Sequence, residues 1–316
     1  MSKAVQVSPA AGALRTILLA ASAAGLLAAA ACSSSTDQPS AAVKAADYVP
    51  GKAFETGVVE AGGYTLRYSV AGPSGAPVIV SLPGSAGLEM SRAKDQLVDQ
   101  FRIIEINPPG WGDDPELSAE MTQEEIGRIL GEAANKLVEG RYHLIGTSMG
   151  GGNALWLAAH YPDRVKSILL EGGMAPTRES DLTSPLITTA FVRQQRAAPS
   201  QPNGGYPTPP MDPAKPWATG EYNMKQMQNR FKMMSWVQCD IGDDALFAKI
   251  RASGIPVYGL LGDKDGIIKP TVQEYYAQVL PESKFMLVPG GGHDLQNTQT
   301  DVFVREARQF FRTAGP

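Results

Sequence analysis

Leu144-Ile145-Gly146-Thr147-Ser148-Met149-Gly150-Gly151-Gly152 is an apolar run that ends in Gly-x-Ser-x-Gly, and a helix-forming segment, Asn153 to His160, stands directly behind it. That pattern predicts a buried strand turning sharply into a helix with a serine at the apex. The turn holds the serine in a strained backbone conformation, and Gly146 and Gly150 leave room for strand and helix to pack against it. A serine so placed lifts its hydroxyl above the edge of the sheet. The N–H of Met149 then lies at the helix N-terminus, where it can help hold a negative oxygen. The motif also arises by chance in a chain with 33 glycines. Its weight therefore rests on the flanking strand and helix and on the residues further along the chain.

A neutral serine hydroxyl is a poor nucleophile, so a histidine must take its proton and a carboxylate must orient that histidine. The chain has only 3 histidines. His143 opens the strand leading to Ser148, at its wrong end, and His160 lies where the following helix runs into Pro162. Both read as structural or surface residues. His293 lies in Pro289-Gly290-Gly291-Gly292-His293-Asp294, a loop after the apolar strand Lys284–Val288, and is the candidate base. The helix predicted behind it, Thr300 to Arg312, turns Val302, Phe303, Ala307 and Phe310 inward at helical spacing. For the acid, Pro256–Leu261 reads as a buried parallel strand followed by Gly262-Asp263-Lys264-Asp265-Gly266. Asp265 is favoured over Asp263, because Ile267 and Ile268 beside it could wall in its carboxylate. Glu171, after the strand Ser167–Leu170, is a third option.

With serine, acid and histidine in that chain order, the sequence from about Glu55 to the C-terminus resembles the α/β-hydrolase superfamily. That superfamily includes esterases, lactonases, carbon–carbon bond hydrolases and cofactor-free haloperoxidases. The resemblance implies an α/β fold with a mostly parallel sheet of about eight strands, helices on both faces and a helical cap insertion. Val78-Ile79-Val80-Ser81-Leu82-Pro83-Gly84-Ser85 matches the family's third strand and oxyanion loop, which implies Ser85 N–H as the second oxyanion donor beside Met149 N–H. Many members have His-Gly there; this chain has Pro83-Gly84, as cutinase-like members do. The stretch Phe101 to Gly112 resembles the fourth strand and its Pro-Gly-x-Gly loop, with Asn107 where an aspartate is usual and Asp114 where a serine is common. A serine at the elbow, where related dehalogenases and epoxide hydrolases carry a carboxylate, fits acyl transfer to water. The catalytic set implied is Ser148, Asp265 and His293, with no metal and no cofactor.

The resemblance also places the cap in the long excursion between the strands at Ser167–Leu170 and Pro256–Leu261, approximately residues 174–242 of a domain spanning 50–316. Ser184–Arg196 and Tyr222–Met234 read as its helices, separated by a proline- and glycine-rich stretch from Pro199 to Pro210. Met224, Met227, Phe231 and Met234 share one helix face. They either pack on the body or line an apolar pocket for a small-to-medium acyl substrate.

A formal net charge of -4 with no basic cluster speaks against nucleic acid as a partner. Two cysteines and 3 histidines, widely scattered, are too few for a metal centre. At the N-terminus, Lys3 and Arg15 precede the alanine-rich apolar run Thr16–Ala31, too short for a membrane span, and Cys32-Ser33-Ser34-Ser35 comes next. Residues 1–31 thus resemble a bacterial lipoprotein signal. The resemblance implies lipidation of Cys32, a disordered tether over 32–49 and attachment to a membrane of the cell envelope. Cleavage after Ala29-Ala30-Ala31 to give a soluble periplasmic or secreted protein is the alternative. With Cys32 lipidated, Cys239 has no intrachain partner. Two function classes remain: a serine hydrolase of esters or related acyl compounds, and a non-catalytic protein of the same fold that binds a ligand or partner at the cell surface. Oligomeric state is not legible.

Overall fold

Neighbouring apolar residues in a strand point to opposite faces of the sheet, so a strand that is apolar at every position must be covered on both sides. Ile79-Val80, Ile103-Ile104, Leu144-Ile145, Ile168-Leu169 and Leu260-Leu261 are such pairs, and all are buried. The computed structural model describes residues 51, 53–84, 87–88, 91–111, 117, 121–173 and 244–314. Among these the chain runs β1 (Glu55–Ala61), β2 (Tyr64–Ala71), β3 (Val78–Leu82), α1 (Arg92–Leu97), β4 (Arg102–Ile106), α2 (Gln123–Leu137), β5 (Tyr142–Thr147) and α3 (Met149–His160). It continues with β6 (Val165–Glu171), α4 (Asp244–Ser253), β7 (Val257–Gly262), α5 (Val272–Val279), β8 (Lys284–Val288), α6 (Leu295–Thr298) and α7 (Thr300–Thr313).

The eight strands form one sheet in the order β1-β2-β4-β3-β5-β6-β7-β8. The β1–β2 and β2–β4 pairings are antiparallel and the rest parallel. Val80, Ile104, Leu144, Ile168 and Leu261 pack with α2, α3, α4 and α5 on one face. Ile79, Ile103, Ile145, Leu169 and Leu260 pack with α1 and α7 on the other. Local signals set the helix starts. Thr122 Oγ1 caps α2 by accepting the Glu125 N–H at 3.1 Å, and the Ser91 side chain caps α1 through Lys94 N.

Helix α7 departs from expectation by a small rotation. Its buried face is Phe303, Val304, Ala307 and Phe311, whereas Val302 and Phe310 are half-buried at the margin. The reason is Tyr258 on β7, whose ring lies 5.4 Å from that of Phe310 and holds it at the rim of the sheet.

His143, at the start of β5, is buried on the α7 side. Its Nδ1 lies 2.8 Å from Ser167 Oγ and its ring 4.9 Å from that of Phe311. Burial, reinforced by the positive charges of Lys166 and Arg141, pushes its pKa down to about 4 from an ordinary 6.5. The unfolded chain therefore takes up this proton first, and stability falls as pH drops from 6.5 towards 4. Two and a half pH units correspond to about 3 kcal/mol. Urea unfolding at pH 7 and pH 4.5 is expected to show that loss, and His143→Asn to flatten it. An equal slope in both proteins would assign the acid sensitivity elsewhere.

Candidate active site

Among the described residues, Ser148 is the one non-glycine residue with positive φ, at φ 51° and ψ -121°. Such a conformation costs about 1–3 kcal/mol and persists only where the surroundings impose it. Here they do. Ser148 N donates to the Glu171 carbonyl at 3.0 Å, and Gly151 N donates to the Ser148 carbonyl at 2.9 Å. A Cβ on Gly150 would stand 2.1 Å from the Leu82 carbonyl oxygen, so only glycine lets α3 dock on the end of β3. Gly84 lies directly against the serine, where an added Cβ would be 3.1 Å from Ser148 Cβ and 3.7 Å from Oγ. Met149 is buried as the first residue of α3. Ser85 lies outside the described residues, as do Cys32, Cys239 and the residues expected in a cap, Met224, Met227, Phe231 and Met234.

His293 lies beyond β8 and is half-buried. Its Nδ1 donates to Asp265 Oδ2 at 2.8 Å, which leaves Nε2 as the basic nitrogen of the neutral ring. The Asp265 side chain is fully buried after β7, and its Oδ1 accepts the Ile267 and Ile268 N–H groups at 2.8 and 2.9 Å. The two isoleucines hold the carboxylate with backbone donors; Ile268 is fully buried, whereas Ile267 is exposed. Asp263 is engaged elsewhere: its Oδ1 accepts Gly290 N at 2.7 Å and so braces the turn before His293.

Glu171 is the last residue of β6, not a loop residue after it, and is buried. Its Oε1 accepts Leu295 N at 2.8 Å and its Oε2 accepts Gln296 Nε2 at 3.2 Å. Burial raises its pKa, while a positive charge on His293 and the two donors pull the other way. Gln296 Nε2 also donates to Thr147 Oγ1 at 2.9 Å, and its Oε1 accepts Ser91 Oγ at 2.8 Å. Sequence patterns give no warning of this buried cluster, because a lone Gln or Thr carries no motif. Asn107 is buried too, its Oδ1 accepting Leu88 N at 2.7 Å to fix the loop after β3.

The other two histidines lie apart from this edge of the sheet. His143 is at the opposite end of β5, and His160, at the C-terminus of α3, faces Glu124 at 3.2 Å. The strained serine, the histidine–carboxylate pair and the loop after β3 all sit at the carboxyl ends of parallel strands, where such sheets place their ligands. A histidine oriented by a buried carboxylate can accept a proton and return it.

Residues 77–207 match a family described as the alpha/beta hydrolase fold. A 2-hydroxy-6-oxononadienedioate/2-hydroxy-6-oxononatrienedioate hydrolase from Escherichia coli is 32% identical over 143 residues, 43% of this chain and 49% of the relative. The match thus spans about half the length of that relative. Two solved structures are similar in fold. A thermophilic esterase from Thermogutta terrifontis superposes with a TM-score of 0.60 at 22% identity, over 83% of this chain and 100% of the esterase. An esterase from a Rhodococcus species gives the same TM-score, identity and coverage. Sheet order, elbow and the match over residues 77–207 agree: the chain has the α/β-hydrolase fold.

Proposed function

We propose that the protein is a serine hydrolase that cleaves carboxylic esters or related acyl compounds through an acyl-enzyme on Ser148. The observation that carries this reading is the Asp265–His293 pair, 2.8 Å apart with the carboxylate buried, at the same sheet edge as the strained serine. His293 Nε2 takes the Ser148 hydroxyl proton as Oγ bonds to the substrate carbonyl carbon. The carbonyl electron pair moves to oxygen, where Met149 N–H and, by family resemblance, Ser85 N–H receive it. The tetrahedral adduct collapses, the carbon–oxygen bond to the alcohol breaks, and the imidazolium protonates the departing oxygen. Water then repeats the sequence against the acyl-enzyme and releases the acid.

A second reading has one observation in its favour, the E. coli relative named for a 2-hydroxy-6-oxo-dienedioate. It replaces the ester by a keto acid and keeps the same three residues.

A fluorophosphonate probe is expected to label Ser148 and no other serine, and p-nitrophenyl esters to be hydrolysed. If Met224, Met227, Phe231 and Met234 line the pocket, each buried methylene adds about 0.8 kcal/mol at most. kcat/KM then rises with acyl length, peaks at short-to-medium chains and falls. A rate still climbing at long chains removes the roofed pocket. Turnover of 2-hydroxy-6-oxononadienedioate well above that of every ester selects the keto-acid reading, and an unlabelled Ser148 overturns both.

A further inference from the structure

We infer that Glu171 is a second, positioning carboxylate for His293, holding the loop 293–296 in place and adding negative charge behind the imidazolium. The inference rests on the serine hydrolase reading of the site.

The main chain around Glu171 already touches every part of that site. Its carbonyl receives Ser148 N at 3.0 Å. The next residue, Gly172 at φ 49°, packs tightly on the pair: an added Cβ would lie 3.1 Å from His293 Nδ1 and 3.4 Å from Asp265 Oδ2. The Glu171 side chain turns towards the histidine loop instead of solvent. Leu295 N, two residues past His293, reaches Oε1, and Gln296, three past it, reaches Oε2. Both oxygens accept N–H groups, and these bonds favour the ionised carboxylate against the burial that raises its pKa.

Gln296 extends the hold. One amide joins Thr147, which precedes the nucleophile, to Ser91, which ends the loop after β3 and caps α1. Nucleophile strand, oxyanion loop and histidine loop therefore share one buried polar node. The ionisable groups facing Glu171 are His293 and Asp294 from the loop after β8, while Asp265 holds His293 Nδ1. Lys94 of α1 is paired at 2.5 Å with Glu105 of β4. Among the described residues that act on Glu171, the one that can carry a positive charge is His293, and a buried negative group near it favours that charged state.

The test reads His293 without turnover. With 3 histidines in the chain, the carbon-13-labelled imidazoles of the full-length protein can be titrated singly by NMR, with His143→Asn and His160→Asn for assignment. Glu171→Gln keeps the size and an acceptor for Leu295 N but removes the charge. The His293 pKa is expected to fall by about one pH unit. kcat is expected to drop about tenfold with KM within twofold, and the acid limb of kcat/KM to move to lower pH. Gln296→Leu strips a donor from Glu171 Oε2, favours its neutral form and shifts His293 in the same direction by a smaller step. This variant answers the question if Glu171→Gln does not fold. A lower Tm with an unmoved His293 titration in the folded variants makes Glu171 a strut only and overturns the inference. The hydrolase reading fails separately, through a Ser148 that no fluorophosphonate labels.

Discussion

Replacing Ser148 with alanine is expected to reduce kcat on an ester substrate by about a millionfold, the scale on which nucleophile removal disables a serine hydrolase. The loss is chemical and not structural. Alanine occupies the same positive φ that serine does, keeps the N–H bonded to the Glu171 carbonyl, and removes one oxygen. Tm should therefore stay within a degree or two, and KM should change little if substrate is held by the pocket. What survives is the modest catalysis of the oxyanion donors and of binding. The measurement is steady-state hydrolysis beside a thermal melt, with fluorophosphonate labelling as the control. An alanine variant retaining a tenth of the activity would move the nucleophile away from the elbow.

Asp265→Asn is expected to cost about four orders of magnitude in kcat, for a reason visible in the hydrogen bonds. Asp265 Oδ1 is committed to the Ile267 and Ile268 N–H groups. An asparagine would keep that oxygen in place and turn its NH2 group towards His293 Nδ1. Nδ1 must then accept, the ring proton moves to Nε2, and Nε2 can no longer take a proton. Asp263→Asn serves as the contrast. Its carbonyl oxygen can still accept Gly290 N, so activity should fall less than tenfold. The reverse ranking of the two variants would exchange their roles.

The fold is legible because its signals are local and redundant. Runs such as Arg102–Ile106 and Tyr142–Thr147 are apolar on both faces, and Gly146, Ser148 and Gly150 mark the one turn where a strand must pass tightly into a helix. The order of Ser148, Asp265 and His293 along the chain is equally readable. The manner in which each is held is not. In the sequence Ile267 and Ile268 stand out for their side chains, but their N–H groups bind the carboxylate. Glu171 can be read as a spare acid in a loop, yet it ends a strand and bonds to Leu295 N across 124 residues of sequence. Contacts at such separation leave no periodicity behind. The slight rotation of α7 has the same origin, since it depends on Tyr258 from a distant strand.

The strand order also says when in its life the chain first becomes competent. The elbow rests on β5, in the middle of the sheet, while the loops bearing Asp265 and His293 come after β7 and β8, the last two strands made and the outermost pair on that side. Parallel neighbours close only after long intervening segments are ordered, a slow step for any chain. An emerging or refolding polypeptide is thus expected to place Ser148 early and Asp265 and His293 last. Recovered hydrolysis after dilution from denaturant is, for this topology, a readout of the completed sheet, and it trails the burial of Trp156 in the α2–α3 layer.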